Sequence, residues 1–78
     1  MRKVAASTLR VGDVFCRQTY GPPDPVMDWR YTVKSIHRVP LRGYFGELHE
    51  RVQIEADSHL TGPQSMHLGT EEEVWLLD

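Results

Sequence analysis

The clearest pattern in the chain is a run in which apolar and polar residues alternate. Its apolar members are Trp29, Tyr31 and Val33, and its polar members are Arg30, Thr32 and Lys34. A period of two is what a half-buried β-strand produces, because successive side chains point to opposite faces. We therefore predict a strand over residues 29–39. Ser35 and Ile36 interrupt the apolar row, and this break predicts a β-bulge or a strong bend near Ser35.

The segment over residues 47–57 fits two patterns at first sight. Leu48, Val52 and Ala56 recur every four residues, as on one face of a helix. Polar residues nevertheless occupy every second position from Glu47 to residue 57, and Ile54 fits only the spacing of a strand. The sequence therefore favours a strand here, starting near residue 51.

Clusters of proline and glycine divide the rest of the chain into segments of strand length. The first predicted strand covers residues 13–19, where the facing of the contiguous Val14, Phe15 and Cys16 stays open. Two more are predicted over residues 65–68 and 74–77. Between these last two, Thr70 and Glu73 have the spacing of a capping box, which predicts a single helical or 3₁₀ turn before the last strand.

Five short strands with one such turn predict an all-β fold. The sequence Leu-Arg-Val-Gly-Asp-Val at residues 9–14 resembles the lead into the first strand of SH3-like small barrels. Residues 66–69 and 74–77 resemble the fourth and fifth strands of those barrels. The chain is also similar to small uncharacterised proteins of GC-rich bacteria and their phages. The resemblance implies a five-stranded SH3-like barrel, but a fold of this kind does not by itself determine a function.

Composition narrows the class of protein. The 78 residues allow one small domain, residues 1–78, and contain no apolar run near the roughly 20 residues that span a bilayer. Cys16 is the single cysteine, so no internal disulfide can form. These features predict a soluble, cytoplasmic domain. The charge is uneven, with a net +5 over residues 1–42 and −7 over residues 43–78, which indicates either a polarised surface or pairing between strands of the two halves.

Candidate catalytic and metal-binding residues are sparse. The four histidines have no partner at metal-ligand spacing, and Cys16 has no second cysteine nearby; the histidines are His37, His49, His59 and His67. The carboxylates of Glu50, Glu55 and Asp57 are expected on an exposed strand face rather than in the sheltered setting that acid–base chemistry needs. The sequence therefore predicts no catalytic residue, no metal and no cofactor. A small hydrolase or metal enzyme is the least favoured of three functional hypotheses, of which the other two follow.

Two predicted loops carry the first functional hypothesis, a protein-interaction module such as an adaptor or inhibitor. The loop over residues 20–28 is stiffened by three prolines, which lowers the entropy cost of holding a binding shape. The loop over residues 39–50 is rich in apolar side chains, which either cap the barrel or form a docking patch. Trp29 is also a candidate for the core. The predicted protein-binding residues are Tyr20, Trp29, Arg42, Tyr44 and Phe45.

A basic stripe carries the second hypothesis, nucleic-acid binding. Arg30, Lys34 and Arg38 are expected on one face of the second strand, with Arg17 on its neighbour and Arg42 in the next loop. Pairing with acidic residues of the adjacent strand is the competing interpretation, which we rank ahead. Exposed aromatic residues with paired basic ones would favour a protein partner, whereas a basic face free of acids would favour nucleic acid. A homodimer through an open edge or the same loop is a further expectation.

Overall fold

A computed structural model describes residues 1–17, 21, 23–24 and 29–77. Within these residues one antiparallel sheet has the strand order β1-β6-β2-β3-β4-β5. Its elements are β1 (Arg2–Ala5), a 3₁₀ turn (Ala6–Thr8), β2 (Val14–Cys16), β3 (Tyr31–Arg42), β4 (Leu48–Ser58), β5 (Gly62–Gly69) and β6 (Glu73–Leu77). The predicted all-β class is confirmed.

The number of strands differs from the prediction of five. In the part of the chain that the structure describes, the sheet has six strands and is not closed into a barrel. The additional strand is β1, which pairs with β6 and sets Val4 opposite Val74. Four residues carry too little alternation to be recognised alone, so β1 exists because the distant β6 supplies its hydrogen-bonding partner.

The helical turn expected before the last strand is also wrong. Residues 69–72 form a β-turn, in which the Glu72 N–H donates to the Gly69 carbonyl at 3.1 Å. The Glu72 carboxylate accepts a hydrogen bond from the Gly69 N–H at 3.4 Å. Glu73, the residue assigned to the capping box, instead pairs with Ala5 in the β1–β6 ladder. Pairing between strands therefore overrides the local capping signal.

The predicted bulge in the second strand is confirmed. Val33 lies opposite Ala56 and Ser35 lies opposite Glu55, so Lys34 is the extra residue on β3. Both hairpin strands are longer than predicted, because β3 continues to Arg42 and β4 already starts at Leu48.

The core lies against one face of the sheet. Val52, Ile54 and Ala56 alternate with half-buried polar residues along β4, as a strand covered on one face requires. Phe15 of β2 is fully buried in this core, together with Leu68 of β5. Val14 and Cys16 alternate with Phe15 and point to the opposite face, where Val14 is half-buried and Cys16 is buried outside the main core cluster.

Candidate functional site

The end of the β3–β4 hairpin extends beyond the rest of the sheet. β2 pairs with β3 at Tyr31 and Thr32, and β5 accompanies β4 as far as Arg51. Beyond these points residues 39–50, here called the arm, form a two-stranded ribbon whose last pair is Arg42 and Leu48. The predicted loop over these residues is therefore wrong, because most of them lie in paired strands. The molecule is correspondingly elongated, at 42 × 24 × 18 Å.

The arm ends in a tight turn over residues 43–47, here called the tip. The Gly43 N–H donates to the Glu47 carbonyl at 2.6 Å, and the Gly46 N–H donates to the Gly43 carbonyl at 3.0 Å. Gly46 has a φ of +84°, a conformation that glycine adopts at little cost. Arg42 adds a hydrogen bond from Nη1 to the Gly46 carbonyl at 3.2 Å. Three hydrogen bonds, two between backbone groups and one from a side chain, thus hold the turn.

The Glu47 carboxylate organises the tip from inside the turn. Its Oε2 accepts a hydrogen bond from the Phe45 N–H at 3.0 Å, and its Oε1 lies 3.2 Å from Nε2 of His49. The pKa of Glu47 is lowered by hydrogen bonds from its own backbone N–H, from His49 and from the Phe45 N–H. A Cβ at Gly43 would collide with the Glu47 side chain. Sequence reasoning missed Glu47, although two glycines bracketing an aromatic pair signal a tight turn here.

Two aromatic rings project from the tip into solvent. Tyr44 is 95% exposed and Phe45 is 90% exposed. Their ring centroids lie 5.1 Å apart at an interplanar angle of 83°, which is the edge-to-face arrangement that aromatic pairs prefer. Leu41 and Leu48 on the adjoining strands are exposed as well. The alternative in which these side chains cap the core is therefore wrong.

The other predicted protein-binding residues lie elsewhere. Arg42 is part of the tip region, but Tyr20 lies outside the described residues, as does most of the loop over residues 20–28. Trp29 precedes β3 and is 41% exposed, and it stacks on Tyr31 with the ring centroids 6.5 Å apart. Since β3 separates Trp29 from the tip by roughly 40 Å of extended strand, the structure does not bring the two aromatic groups together.

The predicted basic stripe does not lie on one face. Lys34 is the bulged residue, and after it the alternation of β3 is shifted by one. Arg38 consequently lies opposite the buried Val52, on the face that carries the core, whereas Lys34 reaches Asp57 on the other face. The single-face stripe is therefore wrong, and the β-bulge is the reason.

Three of the five predicted nucleic-acid-binding residues form ion pairs with carboxylates. Lys34 Nζ lies 3.0 Å from Asp57, Arg38 Nη1 lies 3.4 Å from Glu50, and Arg17 Nη2 lies 3.7 Å from Glu72. Each pair joins the basic half of the chain to the acidic half, so three of the eight basic residues in the first 42 positions are paired with carboxylates of the second half. Such exposed pairs each contribute about 0–1 kcal/mol to stability.

Arg30, the fourth of these residues, lies in a cleft of about 340 Å³ that is open to solvent. The cleft is lined by Val14, Arg30, Thr32, Asp57, Ser58 and His59. Nδ1 of His59 accepts the Arg30 N–H at 3.1 Å. The Ser58 hydroxyl accepts the N–H groups of Leu60 and Thr61 at 3.1 and 3.3 Å. These polar groups therefore hold the β4–β5 turn against the start of β3.

The carboxylates considered for hydrolysis occupy exposed or paired positions. The pKa of Glu55 is lowered by hydrogen bonds from the Ser65 hydroxyl and then from Gln53, with smaller contributions from the nearby histidines. A general acid needs the opposite shift, since it must hold its proton near neutral pH. Asp57 and Glu50 are the partners of Lys34 and Arg38. Across the described ranges, no three His, Cys, Asp or Glu side chains are grouped so as to hold a metal ion.

Similarity to known proteins provides no functional assignment for this chain. No protein-family model, curated protein or solved structure matches the chain. In the described part of the chain, no helix has the length and apolar character needed to cross a membrane.

Proposed function

We propose that this protein is a non-enzymatic, cytoplasmic protein-interaction module, an adaptor or an inhibitor, that docks through the tip. The observation that carries the proposal is the exposure of Tyr44 and Phe45, at 95% and 90%, on a turn held by hydrogen bonds. Contiguous exposed apolar patches mark interaction sites, and aromatic residues are enriched among the residues that dominate the binding energy of protein interfaces. The two rings would act as anchors that enter an apolar pocket of the partner.

The rigidity of the tip supports the same proposal. Binding orders flexible side chains and loops, and this ordering subtracts from the affinity. Here the backbone of the tip is already fixed by Glu47 and Arg42, and each aromatic ring has only two side-chain torsions to restrict. The arm also carries the rings away from the body of the sheet, where a concave surface can accept them.

Three further hypotheses from the sequence concern the loop over residues 20–28, the SH3-like fold and nucleic-acid binding. The proline-rich loop over residues 20–28, with Tyr20 and Trp29, would form a second and separate contact region. The SH3-like relationship is part of the proposal too, and the all-β architecture of one antiparallel sheet is what supports it. Nucleic-acid binding has weaker support, because Lys34, Arg38 and Arg17 are each paired with a carboxylate.

The proposal is tested by affinity capture from the native host, with identification of the retained proteins. The wild type is compared with Tyr44→Ala/Phe45→Ala, and with Leu60→Ala as a matched control. Leu60 is 61% exposed and lies in the turn at the opposite end of β4. We expect one protein to be retained by the wild type and by Leu60→Ala but not by the tip variant, with or without nuclease.

Retention of that protein by the tip variant would overturn docking through the tip. Loss of retention after nuclease treatment would instead assign the binding to nucleic acid.

A further inference from the structure

The two edges of the sheet differ in how they are protected from pairing with another strand. β1 is four residues long and carries Arg2 and Lys3, and charged residues on a short strand are the usual means of blocking an edge. β5, the other edge, is eight residues long and has no Asp, Glu, Lys or Arg. Its open side is therefore a place where a further strand can add.

Two observations establish which backbone groups of β5 point outward. The N–H and C=O of Gly69 are bonded to Glu72 instead of β4, so they face away from β4. Pro63 has no N–H, and a proline in a sheet places this missing donor on the open side. Since alternate residues of a strand face the same way, the outward groups belong to Pro63, Ser65, His67 and Gly69. On that side the N–H and C=O groups of Ser65 and His67 have no backbone partner among the described residues.

We infer that β5 pairs with β5 of a second copy of this chain, antiparallel and about a twofold axis at Met66. In this register Ser65 of one copy lies opposite His67 of the other, and the two pairs exchange four N–H···O=C hydrogen bonds. Pro63 lies opposite Gly69 of the other copy. Pro63 offers no donor, and none is needed there, because the Gly69 carbonyl already accepts the Glu72 N–H and the Gly69 N–H already donates to the Glu72 carboxylate.

The match between Pro63 and Gly69 favours a second copy of this chain, rather than an unrelated extended peptide, as the strand that pairs with β5. The proline that lacks a donor meets the one residue of the edge whose acceptor is occupied. Other registers lose this match: a twofold axis at Ser65, for example, sets Pro63 opposite His67 and leaves the His67 carbonyl without a donor. A two-residue shift in the pairing is thus enough to lose a bond.

The surrounding side chains agree with the pairing. An uncharged strand meets its own copy without repulsion between like charges. Ser65 and His67 are both exposed and lie on the same face, so their side chains become neighbours across the new pair. The pairing leaves the tip free, and it places the two arms at opposite ends of the joined sheets.

Sedimentation velocity over a concentration series tests the inference. Wild-type protein is expected to reach twice the monomer mass at the highest concentrations. His67→Pro removes an outward N–H without breaking the β4–β5 ladder, and His67→Ala is the matched control that keeps this N–H. We expect His67→Ala to dimerise like the wild type. His67→Pro should raise the dimer Kd roughly 30-fold, because two hydrogen bonds are lost per dimer.

Cysteine crosslinking tests the register independently of the proline variant. Residues on the twofold axis have Cα atoms about 4.5 Å apart, within the range for a disulfide. Met66→Cys is therefore expected to give a covalent dimer on mild oxidation, whereas Gln64→Cys, which lies opposite Leu68 of the other copy, should not. Both variants retain Cys16, so a reaction of that buried thiol would affect them equally.

A wild type that stays monomeric at every concentration would overturn the inference, as would undiminished dimerisation of His67→Pro. Crosslinking of Gln64→Cys in preference to Met66→Cys would also overturn it. If His67→Pro does not fold, the crosslinking comparison decides. The tip variant Tyr44→Ala/Phe45→Ala should dimerise normally, which separates this inference from the proposed function.

Discussion

Removal of the two tip rings should abolish partner binding while leaving the fold intact. In Tyr44→Ala/Phe45→Ala the substituted side chains are 95% and 90% exposed, so very little apolar surface moves from a buried to a solvated state. Exposed substitutions change the free energy of unfolding by about 0.5 kcal/mol or less each. The loss for the double variant should therefore stay below about 1 kcal/mol, a decrease in Tm of less than about 8 °C in a domain of this size.

A core substitution provides the scale for this prediction. Phe15 is 0% exposed and stacks on Tyr31 with the ring centroids 5.4 Å apart. Phe15→Ala should cost about 3–5 kcal/mol, since it deletes a fully buried ring and leaves a cavity. Thermal unfolding followed by circular dichroism distinguishes the two variants without any knowledge of the partner.

Binding should show the reverse order of effects. Aromatic anchors at an interface are each worth about 2 kcal/mol or more, so loss of one ring should lower the affinity for the captured partner about 30-fold and loss of both about 1,000-fold, measured by isothermal titration calorimetry. A decrease in Tm close to that of Phe15→Ala would contradict this prediction, because it would mean that the two rings stabilise the fold. Unchanged affinity would refute the assignment of the tip as the docking site.

Three further predictions follow from the contacts of the arm and the bulge. The pKa of Glu47 is lowered from its ordinary value of 4.5, so its carboxylate should stabilise the tip above pH 4.5 and lose this effect as the pH falls through the lowered pKa. Hydrogen exchange at the Phe45 amide should therefore accelerate over that pH range. In Glu47→Gln the same amide should exchange faster than in the wild type at neutral pH. Deletion of Lys34 removes the bulged residue and keeps every other residue of β3 on its present face, so Tm should fall by only a few degrees. Deletion of Thr32 would instead turn the preceding side chains to the wrong face, and this variant should show no cooperative unfolding transition. The double variant Lys34→Gln/Arg38→Gln should retain the protein partner as well as the wild type does. If the double variant loses binding in a pull-down assay, and the binding of the wild type weakens steeply with salt, the result would favour nucleic acid instead.

The residues of the strands with the strongest alternation could be assigned from the sequence. The alternation around Tyr31 and Val33 predicted β3, and Ile54 decided between strand and helix for β4. The break at Ser35 predicted the bulge that the structure has. These features are local, because a strand with one buried face imposes a period of two on its own residues.

The candidate site was predictable only in part. Tyr44 and Phe45 stood out as apolar residues between two glycines, but their exposure depends on the absence of any element above the arm in the described fold. The role of Glu47 follows from the geometry of the turn. Arg38 was placed on the wrong face because a bulge reverses the facing of every later residue, and the sequence does not show which residue is the extra one.

The sequence was sufficient to predict the all-β class, the strands with strong alternation and the aromatic pair on which the proposed function depends. Three features became visible only in the folded molecule: the existence of β1, the open six-stranded sheet and the ion pairs between the basic and acidic halves. The physical reason is the range of the interactions. Alternation and turn residues act between neighbours in the chain, whereas strand pairing, as between Val4 and Val74, joins residues whose proximity only the complete fold creates.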